Sequence, residues 1–114
     1  MKPIEFQLDR LVQMWSTTQK SYVSGMPAQV GHHWIGRSCK LLRWDLHNII
    51  PLTNEEHRLH HDGHLLIEIK NPFRLQYLQN MKNTNFKDYL LEKGLTEDEW
   101  LKMKKEEWTD RIRK

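Results

Sequence analysis

The chain has 114 residues, of which 38% are hydrophobic and 29% charged, with a mean hydropathy of -0.81 and a formal net charge of +3. That length fits one domain around a modest core, and no apolar run approaches the ~20 residues of a membrane-spanning helix. The lone cysteine, Cys39, excludes both an internal disulfide framework and a multi-cysteine zinc site.

A sequence pI of about 9.1 is only mildly suggestive of an anionic partner. Residues 96–114 carry six Lys/Arg against six Asp/Glu, so there is no basic tail. A nucleic-acid partner must therefore be argued from a site. The N-terminus, MKPIEFQLDR, lacks the apolar centre of a signal peptide, which predicts a cytoplasmic protein.

In chain order, Phe6, Leu8, Leu11, Val12 and Trp15 recur at helical spacing and predict an amphipathic helix over 5–20. The Gly and Pro of SGMPA (24–28) mark a turn. QVGHHWIG (29–36) reads as a short strand between glycines, RSCKLLRWD as a loop, and HNIIPL (47–52) as a second strand. Thr53 and Glu56 form a capping box that opens a helix over 54–62, and Gly63 closes it. LLIEIK (65–70) reads either as a strand or as an apolar extension. Helices follow over 72–82, over 84–93 ended by Gly94, and over 97–112 opened by the capping box Thr96/Glu99. In the last of these, Trp100, Met103 and Leu101 predict an apolar stripe that packs on the domain or serves as a homodimer contact.

All seven histidines (32, 33, 47, 57, 60, 61 and 64) fall within residues 32–64. Histidine is the residue of metal ligation and of proton transfer near neutral pH. His57 and His61, four apart on a helix, share one face and can hold a divalent ion, although 57/60 and 60/64 also fall within a turn. Arg58 stands where a zinc protease of the H-E-x-x-H kind needs Glu, which removes that reading. His32 and His33 point to opposite sides of an ideal strand. A twist or bulge at Gly31 is the expected way to let one bind metal while the other faces substrate.

The ordered string GHHWIGR…LRWDLHNIIPLTNEEHRLHH resembles the HNH (ββα-metal) endonuclease motif, in the form of its phage-type and colicin-type members. The resemblance covers about residues 22–64. It implies an α+β protein: a small ββα-metal finger braced by flanking N- and C-terminal helices, all within a single domain of residues 1–114. It further implies His33 as general base, Asn48 as the residue that steadies the loop and orients that base, and His32, His57 and His61 as ligands of one divalent metal. His47, His60 and His64 receive no role. Many HNH proteins carry cysteines for a structural zinc. Here the matching positions are Tyr22, Gly25, Thr53 and Glu56, so the finger must be braced otherwise.

The implied activity is metal-dependent hydrolysis of phosphodiester bonds in DNA, by a phage-encoded or bacterial protein. The alternative is a non-catalytic nucleic-acid-binding or structural metal module with the same fold. A neutral imidazole can take a proton from water, and a Lewis-acid cation stabilises charge developing on phosphate. Nitrogen ligands favour Mn²⁺, Ni²⁺ or Zn²⁺ over Mg²⁺ in affinity. Arg37 and Arg43 flank the histidines and are candidate phosphate contacts, and Trp34 and Trp44 are expected in the core.

Overall fold

The computed structural model describes residues 1–113. It is a mixed helix-and-strand fold with one two-stranded antiparallel sheet. No helix among the described residues is long and apolar enough to cross a membrane.

Helix α1 spans Pro3–Ser16, earlier at both ends than the periodicity suggested. Pro3 starts it because its fixed φ suits the first helical position, where the missing N–H is not needed. The Glu5 carboxylate accepts from the Lys2 amide at 2.9 Å and completes the cap. Leu8 and Val12 are buried and Leu11 and Trp15 pack at the edge, whereas Phe6 faces solvent.

Strand β1, Val30–His33, pairs with β2, Ile49–Leu52, in the register Val30↔Leu52, Gly31↔Pro51, His32↔Ile50 and His33↔Ile49. The ladder is regular, and the bulge expected at Gly31 is not there. Gly31 answers a different need: a Cβ at this position would collide with Ser16 Oγ and stand 2.9 Å from Ile49 Cγ2, so only hydrogen lets α1 approach the strand. Gln13 fixes that approach. Its amide donates to the Gly31 carbonyl at 3.1 Å, and its carbonyl accepts from the Gly31 N–H at 2.8 Å. Pro51 is tolerated because its partner is glycine and its own carbonyl accepts from Tyr22 N at 2.9 Å.

Between the strands the chain is more ordered than a loop. A four-residue helix, α2 (Lys40–Arg43), buries Leu41 and Leu42 and delivers Trp44, 0% exposed, to the core. A 3-10 turn, Leu46–Asn48, then replaces the first part of the expected second strand, because Asp45 accepts from the His47 amide and caps it. Helix α3, Asn54–His61, starts at the Thr53/Glu56 capping box, and Gly63 after it takes φ +81°. Residues 65–70 form no strand. Ile67 and Ile69 are buried and Leu66 is exposed, so the segment is extended with alternating sides but no ladder partner.

Helices α4 (Pro72–Lys82), α5 (Phe86–Lys93) and α6 (Glu97–Arg113) follow. Asn71 and Asn85 cap the first two through their side-chain oxygens, and Gly94 ends α5 in the left-handed region. On α6, Trp100, Leu101 and Trp108 are buried, while Met103 lies at the surface. That apolar side packs on α1 and Trp44: the Trp108 indole N–H donates to the Trp44 carbonyl at 2.8 Å, and Trp15 stands edge-on to Trp108 at 5.5 Å. It is thereby occupied within the chain, and the structure gives the homodimer contact no support.

Two apolar clusters result. One joins α1, α2, α5, α6 and Ile49. The other gathers Leu42, Ile50, Leu52, Ile67, Ile69 and Leu78. The β1–β2 ribbon contributes to both.

Candidate functional site

The site lies at the end of β1 and along one side of α3. His32 faces α3, where its ring centroid is 5.2 Å from that of His57 and 4.7 Å from that of His60. Burial, reinforced by His60, His57 and His33, drives the His32 pKa down to about 4. Burial likewise lowers that of His57, helped by His60 and His61. Both rings are therefore neutral at neutral pH with lone pairs to offer. His60 is held in one tautomer: Nδ1–H donates to the Leu65 carbonyl at 2.8 Å, which leaves Nε2 as the free nitrogen.

The structure thus brings together His32, His57 and His60. His61, one turn beyond His57, is exposed and makes no ring contact with His32. The reason is helical phase. At about 100° per residue, positions 57 and 60 bracket the direction facing β1, and 61 falls past it toward solvent. The 57/60 spacing was visible in the sequence but carried no weight against the family pattern.

His33 lies on the other face of β1, half-buried, and its Nε2–H donates to the Arg43 carbonyl at 2.8 Å. That bond fixes the tautomer and leaves Nδ1 as the proton-accepting nitrogen. Desolvation is the largest influence on its pKa and lowers it. The nearby Arg37 charge acts in the same direction, and the Arg43 carbonyl bond opposes them without reversing the net fall. His33 is therefore a neutral base at neutral pH.

Asn48 is fully buried. Its Oδ1 accepts from Ile35 N at 2.7 Å, and its Nδ2 donates to the carbonyls of Ile35 at 2.9 Å and Leu42 at 3.0 Å. Its own carbonyl accepts from Trp34 N. One amide thus staples the residues just after His33 to the segment whose next carbonyl, that of Arg43, orients the His33 ring.

The two arginines separate. Arg37 is exposed and has no ion-pair partner among the described residues. Arg43 is engaged: Nε and Nη2 both reach the Asp9 carboxylate, and its side chain is only 13% exposed. That forked pair commits one edge of the guanidinium, and the side chain is largely buried, so Arg43 serves as a strut between α1 and α2. Asp9 Oδ1 also accepts from the Trp44 indole, which extends that strut.

Where the resembled family's zinc-binding members carry thiolates, the matching positions Tyr22, Gly25, Thr53 and Glu56 flank or join a hydrogen-bond knot centred on Ser21 and Glu56. Ser21 Oγ donates to Glu56 and accepts from the amides of Val23 and Ser24, while Glu56 also accepts from Thr53 N. Burial alone would raise the Glu56 pKa. The donors Ser21, Ser24 and Thr53 outweigh it and hold the carboxylate below its ordinary range. Ser21, which no local signal singles out, is the residue that closes this knot.

The donor set of His32, His57 and His60 suits a borderline cation in its chemistry: three imidazoles, two held neutral by burial and the third with its Nδ1 tied to a backbone carbonyl. In placement it is not preformed. Among the described residues no three His, Cys, Asp or Glu side chains converge closely enough to hold an ion as they stand. Compared with protein-family models, curated proteins and solved structures, the chain matches none of them.

Proposed function

We propose that this chain is a metal-dependent endonuclease of the HNH, ββα-metal type that hydrolyses phosphodiester bonds in DNA. The observation that carries the reading is His33: a half-buried imidazole with its tautomer set by a backbone carbonyl, its pKa lowered, and preceded on the same strand by His32, which meets His57 and His60 of α3 on the opposite face. The β1–β2–α3 arrangement, with Asn48 stapling the connection, is the scaffold such a finger requires.

In this mechanism His33 Nδ1 takes a proton from a water whose oxygen attacks phosphorus. The bond to the 3′ oxygen breaks, that oxygen leaves with the electron pair and is protonated by solvent, and the products carry 5′-phosphate and 3′-hydroxyl ends. Arg37, exposed and close to His33, meets the phosphate. Asn48 and the Arg43 carbonyl act as positioning groups. His32 and His57, with His60 or His61 as the third nitrogen, are the residues that would hold a divalent cation, which supplies Lewis-acid stabilisation of the charge developing on phosphate.

The test is to incubate metal-stripped protein with supercoiled plasmid, adding Mg²⁺, Mn²⁺, Ni²⁺ or Zn²⁺ separately, with His33→Ala in parallel. Metal-dependent nicking by the wild type and none by the folded variant is the expected result. Absence of nicking by the wild type with every one of these metals, in a folded protein that still binds the ion, would turn the assignment to a non-catalytic metal or nucleic-acid-binding module.

A further inference from the structure

A cavity of about 710 Å³ lies between the loop that follows His33 and the turn joining α4 to α5. Trp34, Gly36 and Ser38 line one side; Lys82, Thr84 and Phe86 line the other. Its volume falls within the ~300–1,000 Å³ range of small-molecule sites and is far too small for a duplex. Trp34 is partly buried, packing against the Ile50–Leu78 cluster while also lining the cavity, and Phe86 is braced edge-on against Trp100 at 5.0 Å. Both aromatic walls are therefore supported from behind.

The loop is also tied to the proposed base at both ends. Trp34 directly follows His33, with its amide on the Asn48 carbonyl and the next residue, Ile35, held by the Asn48 side chain. At the other end Leu41 lines the cavity two residues before Arg43, whose carbonyl orients His33. The cationic groups complete the picture. Arg37 sits between two lining residues, close enough to His33 to disfavour its protonation, and Lys82 is exposed; neither has an ion-pair partner among the described residues. Lys40 differs, because its ammonium is held by Glu5 and Glu97.

We propose that this cavity is a nucleobase subsite, taking one unpaired base of the strand whose phosphate is presented to His33, with Arg37 and Lys82 meeting the flanking phosphates. The inference rests on the nuclease reading above. A planar heteroaromatic ring stacks on an indole whatever its sequence, and an anionic backbone suits the two free cations. A paired base cannot enter such a space without leaving its stack. The subsite therefore selects single-stranded or unpaired segments over uninterrupted duplex.

The experiment uses the full chain in EDTA at low salt, titrated with an oligothymidylate and, separately, with a duplex of the same length, reading tryptophan fluorescence and the anisotropy of a labelled strand. Trp34→Phe keeps an aromatic wall and removes the reporter. Gly36→Phe fills the cavity without backbone strain, since a side chain at Gly36 meets nothing within 4 Å; circular dichroism verifies its fold. The inference expects tighter binding of the single strand than of the duplex, quenching that largely disappears in Trp34→Phe, and single-strand binding weakened about 5- to 100-fold in Gly36→Phe. If nucleic acid binds but both variants behave as the wild type, the cavity is no subsite, while the nuclease reading stands. Failure to bind either nucleic acid would overturn the subsite, while the nuclease reading falls only if the metal-supplemented plasmid also stays intact.

Discussion

Replacing Asn48 with alanine tests whether the loop after His33 is held by one side chain. The substitution removes three hydrogen bonds, at 2.7, 2.9 and 3.0 Å, from a fully buried position. They are not equal. The Leu42 carbonyl keeps the amides of Trp44 and Asp45 as donors and loses little. Ile35 loses the partner of both its N–H and its C=O. An unsatisfied buried group costs about 1–3 kcal/mol, an amide more than a carbonyl, and water reaches half-buried Ile35 in part. The sum is about 2–4 kcal/mol, a large share of the ~5–15 kcal/mol that keeps a typical domain folded. Urea denaturation followed by tryptophan fluorescence measures it. Asn48→Asp sharpens the test: it keeps the bond from Ile35 N but sets a carboxylate oxygen against two carbonyls. That raises the folded pKa of the introduced acid, so the part of its destabilisation due to the charge is full above the folded value, fades as pH falls from there toward the ordinary ~3.9, and is gone below it. A loss under about 1 kcal/mol for Asn48→Ala would show that the loop is held by something else, and the account of how His33 is oriented would fall with it.

Three further outcomes follow from particular contacts. Gly31→Ala should destabilise by about 1–3 kcal/mol through overpacking against Ser16 and Ile49, and adding Ser16→Ala should recover part of that; thermal unfolding of the single and double variants reads both, and no recovery would refute the clash. Glu56→Ala removes the acceptor that joins Ser21 to Thr53; a loss of about 1–3 kcal/mol, with faster amide exchange over residues 21–25, is expected, and unchanged exchange would mean that the turn holds itself. The Lys40 ammonium, outweighing burial, keeps the Glu5 carboxyl below its ordinary range. Its contribution is therefore present above the unfolded ~4.3 and lost as pH falls through the folded value, so the acid limb of the stability profile should be shallower in Glu5→Gln; an unchanged limb would contradict this.

Much of the helical skeleton was legible because its signals are local. Thr53/Glu56 and Thr96/Glu99 marked two starts, and Gly63 and Gly94 lie just past two ends in left-handed conformations. What was not legible depends on partners distant in the chain. LLIEIK alternates like a strand but finds no ladder partner, and residues 40–43 coil into a helix because Leu41, Leu42 and Trp44 have separate places to be buried. At the site, Asn48 holds the residues that follow His33, and His32 adjoins His57. His60 in place of His61 follows from the rotation of α3 about its axis, which no spacing rule fixes. The Asp9–Arg43 pair spans 34 residues and could not be read from either side chain alone. Asp45, which caps the turn before Asn48 and accepts from both Tyr77 and the His47 ring, was missed for the same reason, although an Asp two residues before a His is a local turn signal.

The ribbon of β1 and β2 has its two faces in different cores. His33 lies opposite Ile49, which belongs to the cluster of α1 and α6, and His32 lies opposite Ile50, which belongs to the cluster under α3 and α4. Adjacent residues of one strand thus back onto different clusters, with Met81 packed against both. Loosening the α1–α6 packing should reach His33 before His32, and loosening the contacts of Ile67 or Leu78 should reach His32 before His33. Under the proposed function, its proton-accepting and ion-holding sides could therefore be retuned separately, by substitutions that never touch a histidine.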